Sequence, residues 1–160
     1  MASDRAARFA DKLASANAEA IEFTRSCTAE EWSTVVPGEE WTVGVVLHHI
    51  AESHDNGLRW LTAMASGNAV TDSAESIDEK NVAHADRASN VGQAETAELL
   101  ASSGAQLEAF LRNLTDDELD RTVPFGPAGG RPLPTDALAA VAAGHVRDHL
   151  AHARAAVSRP

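Results

Sequence analysis

Six imidazoles fall in two short stretches of this chain. Trp41 to His54 carries His48, His49 and His54, and Gly144-His145-Val146-Arg147-Asp148-His149-Leu150-Ala151-His152 carries three more. A His-x-x-x-His pair on a helix sets two side chains one turn apart on the same face, which is a geometry that chelates a divalent ion. A third histidine from another helix would complete a three-nitrogen set with a coordination position left for water or substrate. Such a set would do chemistry. The seventh histidine, His84, stands alone in a polar stretch.

Helical arithmetic at about 100° per residue sorts these residues by face. Around His49 the apolar face is Val43, Val46, Ile50, Gly57 and Leu61. His49 lies on its edge, in a stripe with Val45, Ser53, Asn56 and Trp60. His48 points almost opposite and is expected to be solvated, while His54 lies on the other flank near Leu47 and Leu58. Near the C-terminus His145, His149 and His152 share a stripe with Leu138, Val141, Ala142 and Ala156, beside the apolar stripe of Val146, Leu150, Ala153 and Val157. All three are therefore expected to face inward or nearly so. A lone buried histidine is usually satisfied by hydrogen bonds, but a stack of them facing an inward His49 favours a metal site. Imidazoles alone do not choose the metal. Zinc is the default, and nickel or iron would also fit.

Four long helices must position these residues. The first is expected from Ser3, its N-cap, to about Arg25, with Phe9, Leu13, Ala16, Ala20 and Phe23 at helical spacing. Thr28-Ala29-Glu30-Glu31 has capping-box form, and Pro37-Gly38 breaks the chain. The second helix runs from near Trp41 to Ser66-Gly67. The polar stretch that follows holds one short helix, about Ser76 to Ala88. The third runs from about Gln93 to Leu114, and Thr115-Asp116-Asp117-Glu118 is a second capping box. Pro124 to Pro132 reads as loop, and Thr135 as the N-cap of a fourth helix ending near Val157. Long helices with long connections make an all-α, four-helix bundle with crossovers, a single domain spanning residues 1–160.

Composition agrees. Alanine fills about a fifth of the chain and aromatic residues only 4%, so small side chains do most of the packing, and a large sheet is not expected. A net charge of -11 argues against nucleic acid or an anionic membrane surface as a partner. Cys27 is the single cysteine, so no intrachain disulfide can form; it reads as a packing residue rather than a nucleophile. No export signal or membrane span is expected, which suits a cytoplasmic location.

The run Trp41-Thr42-Val43, then Leu47-His48-His49-Ile50-Ala51-Glu52-Ser53-His54-Asp55-Asn56, resembles the second-helix motif of the DinB/YfiT-like superfamily of metal-binding four-helix bundles. It is similar above all to the version found in bacillithiol S-transferases. Ala143 to His152 resembles the family's fourth-helix His-x-x-x-His motif. The likeness covers the whole chain in layout and is specific in these two segments. It implies an up-down-down-up topology and the metal ligands His49, His145 and His149. His152 then becomes a pocket residue or a neighbour of the ligands; the stripe that Ser53, Asn56 and Trp60 share with His49 separately points to the pocket, and Asp148 lies near the histidine stripe. It also implies a metal that lowers the pKa of a bound low-molecular-weight thiol, mycothiol or bacillithiol in class, for attack on an electrophile. Mycothiol-dependent maleylpyruvate isomerases are relatives. Their additional C-terminal domain, with its substrate contacts, is not expected here.

The resulting expectation is a divalent-metal-dependent S-transferase or isomerase-like enzyme whose partners are a small thiol and an electrophilic substrate. A metal-dependent hydrolase using the same ligands is the alternative. A non-catalytic metal-binding bundle, dimeric through its helix faces, is a reading from a different class. No side chain stands out as a catalytic base. Asp148 could orient an imidazole, although a surface ion pair suits it better. Trp41 is expected to pack at the bundle end, His84 to be exposed, and Arg131 to sit in a loop within reach of an anionic substrate.

Overall fold

The computed structural model describes residues 3–158. Helix α1 spans Asp4–Ser26 and starts where the Ser3 hydroxyl accepts from the backbone N–H groups of Arg5 and Ala6. Two short helices, α2 (Ala29–Trp32) and α6 (Asp116–Asp120), each open on a complete capping box, from Thr28 and Thr115. The other long helices are α3 (Val43–Ala65), α5 (Gln93–Asn113) and α7 (Thr135–Val157), and α4 (Ala74–Arg87) bridges α3 and α5. Helix α4 begins earlier than its periodicity suggests because Ser73 and Ser76 form a reciprocal cap.

The long helices pack as a ring, with α1 and α3 each lying between α5 and α7. Polar contacts set their directions. Ser3 N–H bonds the Leu114 carbonyl, and Gln93 reaches the carbonyls of Thr24 and Cys27, so α1 and α5 run antiparallel. Arg5 pairs with Asp136, placing the starts of α1 and α7 together. Helices α3 and α5 run parallel, since His54 meets Ser103 and Gly57 faces Leu107. The order is therefore up-down-down-up, as expected, and α1 sits diagonally across from α3.

Small residues allow this close approach. Ala6, Ala10, Ala16 and Ala20 are fully buried along α1 around Leu13, and Leu47, Ile50, Leu61, Leu100, Leu107, Leu111 and Leu150 fill the centre. No helix among the described residues is long and apolar enough to cross a membrane.

Two sequence expectations change. The segment read as loop is an antiparallel hairpin, β1 (Thr122–Phe125) with β2 (Arg131–Pro134), closed by a 3₁₀ turn at Gly126–Ala128. Pro124 faces Pro132 across the pair, and on the outer edge of β1 Val70 needs no proline N–H: it donates to the Pro124 carbonyl and accepts from Gly126 N–H. Thr135 is the first residue of α7 rather than its cap. Its hydroxyl donates to the Arg121 carbonyl, and Pro134 occupies the cap.

Candidate metal centre

Helices α3 and α7 run antiparallel, and their facing stripes bring three imidazoles together. One ring nitrogen each from His49, His145 and His149 lies within 4.8 Å of the others. The ring centroids are 5.3 Å apart for His49 and His145, 5.0 Å for His49 and His149, and 4.5 Å for His145 and His149. These are the residues that the motif resemblance implies as ligands.

Two of the three rings are electrically prepared for a cation. Burial, then the charge that neighbouring histidines would carry, pushes His49 down to about 3. Burial, then His149, pushes His145 down to about 4. Both rings are therefore neutral at physiological pH and present lone pairs, the form that ligates metal. The Nε2 atom of His145 is buried and has no hydrogen-bond partner among the described residues. A bare buried nitrogen beside two other imidazoles needs an explanation, and a divalent cation supplies one.

Glu39 completes the arrangement, and sequence reasoning did not find it. Its carboxylate accepts from Nδ1 of His149 at 3.0 Å and from Nδ1 of His152 at 2.7 Å. Bonding at Nδ1 leaves Nε2 of His149 free and fixes both tautomer and ring orientation, the usual job of a carboxylate behind a ligating histidine. The turn at Pro37-Gly38-Glu39 delivers it. Gly38 and Glu40 adopt left-handed backbone, with φ 87 and 63, which folds the chain back so that Glu39 meets α7. The only sequence signal is a pair of acids placed just before Trp41.

Other expected residues fall as follows. His152 is not inward: its side chain is 61% exposed and touches the site only through Glu39. Asp148 is also exposed and makes no hydrogen bond or ion pair among the described residues, so the orienting carboxylate is Glu39 instead. Ser53, Asn56 and Trp60 do line a cavity of about 160 Å³ beside His49 and His145, together with Leu61, Ile77, Leu138 and Val141. Trp60 also donates to Asp72, which Arg59 and Lys80 bind as well, and these partners hold that carboxyl far below the usual range. Trp41 is partly buried against the core and meets the rings of His49 and His84 at a tilt, with centroids 5.1 and 5.8 Å away.

His48 and His84 both depart from expectation. His84 is 3% exposed and its Nε2 lies 2.9 Å from Nδ1 of His48. Helix α4 folds over α3 and covers the face that α3 alone would leave in water. Burial pushes His84 down, opposed in part by Glu52. Arg131 is exposed and bonds the Ala128 carbonyl within the hairpin turn, not the site. Cys27 is buried, which pushes its thiol up to about 11, so packing is its role.

The comparisons with known proteins agree with this architecture. Residues 12–153 match the DinB superfamily model. Among solved structures the chain is similar to YfiT from Bacillus subtilis, described as a probable metal-dependent hydrolase with an unusual four-helix bundle topology. The TM-score is 0.74 at 20% sequence identity, covering 98% of this chain and 86% of that one. No curated protein matches the sequence. With the family match extending over most of the chain and through both histidine-bearing helices, this protein belongs to the DinB superfamily.

Proposed function

We propose that this protein is a divalent-metal-dependent enzyme that joins a low-molecular-weight thiol, mycothiol or bacillithiol in class, to a small electrophile. His49, His145 and His149 would hold the ion. The observation that carries the reading is the convergence of these three imidazoles, two of which, His49 and His145, line a largely apolar cavity.

The cavity lining supports an external nucleophile. Ser53 is the one hydroxyl or thiol among its lining residues, and that hydroxyl is already committed to the Ile50 carbonyl at 2.7 Å. The attacking group must then arrive with the substrates. A bound divalent ion supplies Lewis acidity, which lowers the pKa of a thiol or water brought to it. The protein's own residues do the rest. Glu39 holds a proton at Nδ1 of His149 and keeps that ring aimed. Leu61, Ile77, Leu138 and Val141 take up the carbon skeleton of the electrophile and exclude water. Asn56 and Asn81 offer amide groups that could orient its polar end.

A hydrolase with the same ligands is the second reading, and the structural likeness to YfiT, itself described as a probable metal-dependent hydrolase, favours it. The experiment is metal analysis by mass spectrometry of wild type beside His149→Ala, followed by turnover assays. About one equivalent lost on substitution establishes the ligand set. Loss of monobromobimane only when thiol is present supports S-transfer, and ester or amide turnover without thiol supports hydrolysis. Metal binding with neither activity would reduce the protein to a metal-binding bundle.

A further inference from the structure

We propose that His48, Glu52 and His84 form a second divalent transition-metal site, distinct from the trio on α3 and α7, which fastens α4 onto α3. His48 and Glu52 lie one turn apart on α3, so their side chains share a face. His84 comes from α4. The donor atoms converge. Nδ1 of His48 lies 2.9 Å from Nε2 of His84, and the Glu52 carboxylate oxygens stand 4.0 Å from the first and 3.9 Å from the second.

Two nitrogens and a carboxylate suit zinc, nickel or ferrous iron. The adjustment needed is small. Two imidazole nitrogens at about 2.0–2.1 Å from a tetrahedral ion stand about 3.4 Å apart, and a carboxylate oxygen takes up a similar spacing. The two rings would part by about half an ångström and Glu52 would close by a little more, which side-chain rotation can supply.

Hydrogen bonding does not account for the pair as well. A hydrogen bond between the two rings shares one proton at 2.9 Å and leaves the Glu52 carboxylate, 3.9 and 4.0 Å away, outside it, whereas an ion would engage all three groups. Burying two imidazoles for a single mutual bond is costly. Nor is the group simply an ion-pair network. Among the described residues the cation paired with Glu52 is Arg87, at 3.3 Å and largely exposed. A cleft of about 190 Å³ lined by Glu52, Lys80, Asn81, His84 and Arg87 gives an ion room to enter.

The placement has a consequence for the cavity. Helix α4 also carries Ile77 and Asn81, which form one wall of the cavity beside the first site. An ion joining His84 to α3 would hold that wall in place.

The test is zinc stoichiometry after dialysis, with hydrogen exchange of α4 as a second readout. Wild type is expected to hold about two equivalents, and Glu52→Gln, His84→Gln and His149→Ala about one each. Zinc should slow exchange in α4 in wild type and His149→Ala but not in Glu52→Gln. Glu52 is partly exposed, so its substitution tests the site even if His84→Gln fails to fold. One equivalent in wild type, unaffected by Glu52→Gln and lost in His149→Ala, overturns this site and leaves the first standing. One equivalent lost in Glu52→Gln but kept in His149→Ala sustains it and removes the ligand set proposed above.

Discussion

Nδ1 of His149 donates to the Glu39 carboxylate at 3.0 Å across 110 positions of sequence, and no other carboxylate among the described residues contacts the three converging imidazoles. The contact ties a turn before α3 to the middle of α7. It also decides which nitrogen of His149 is left to face His49 and His145.

Glu39→Gln should therefore weaken zinc binding without removing it. The amide keeps the shape but is a poorer acceptor and does not enforce the Nδ1–H tautomer. Loss of such an orienting carboxylate typically costs about 10–100-fold in metal affinity. His152→Ala should change affinity much less, because its exposed ring meets the site only through the same carboxylate. Competition against a chelator measures both. Equal affinities for wild type and Glu39→Gln would remove the orienting role.

His54 should make the metal-free protein acid-sensitive. Ser103 donates its hydroxyl to the Leu99 carbonyl at 2.8 Å, so it accepts from Nδ1–H of His54 at 2.9 Å. Nε2 then holds a buried lone pair with no partner among the described residues. Burial, then His145, pushes this histidine from 6.5 down to about 4. Between those values the unfolded chain binds a proton that the folded chain refuses. Stability is therefore complete above the unfolded pKa and is lost as pH falls toward the folded one. The shift corresponds to about 3 kcal/mol at this 2% exposed residue. His54→Gln keeps a donor for Ser103 and does not titrate. Urea unfolding at about pH 7 and about pH 4 should show wild type losing about 3 kcal/mol more than the variant. His49 and His145 titrate in the same sense in both proteins, so the difference isolates His54. Parallel losses would refute the assignment.

The long helices and the inward-facing stripes that carry the converging histidines were legible because both depend on local periodicity. His49, His145 and His149 each sit on an edge of their own helix's apolar face, and antiparallel packing makes those edges meet. His48 was not legible for the complementary reason. Its position on α3 says solvent, and only the docking of α4, a contact between distant segments, buries it against His84. Glu39 lies in a turn whose reach depends on positive φ at Gly38 and Glu40, which spacing does not reveal. His152 shares the stripe of His145 and His149, yet its side chain is left 61% exposed and meets only Glu39. The hairpin was hidden by its prolines, which usually mark loop.

Close packing of α1 on α5 should make Gly104→Ala destabilising. Asn17 is nearly buried, and its amide donates to the Leu100 carbonyl at 2.8 Å while lying over Gly104. A methyl group on Gly104 would overlap that amide and force either the side chain or the helix to move. Overpacking of this kind costs about 1–3 kcal/mol, more than the helix propensity gained from alanine returns. Gly57→Ala is the control, since a methyl there meets Leu107 at an ordinary 3.6 Å. Thermal unfolding of the two variants should separate them, and equal midpoints would show that α1 and α5 are less tightly apposed.

Metal binding and substrate binding should be separable at Ala142. This residue lines the cavity from α7, three positions before His145, and packs partly buried against the core. Ala142→Phe would place a ring in a cavity of about 160 Å³ while leaving His49, His145, His149 and Glu39 unsubstituted. Metal content should stay at the wild-type value, and thermal stability should hold because the ring enters existing space. Turnover of the electrophile should fall on the order of a hundredfold, since a substrate displaced by about an ångström no longer meets its nucleophile. Metal analysis and steady-state kinetics on the same preparation decide the matter. Unchanged kinetics with the cavity filled would mean that the reacting molecule approaches the histidines from elsewhere, and the cleft beside Glu52, Lys80 and Arg87, which also reaches His49, would become the entrance to examine.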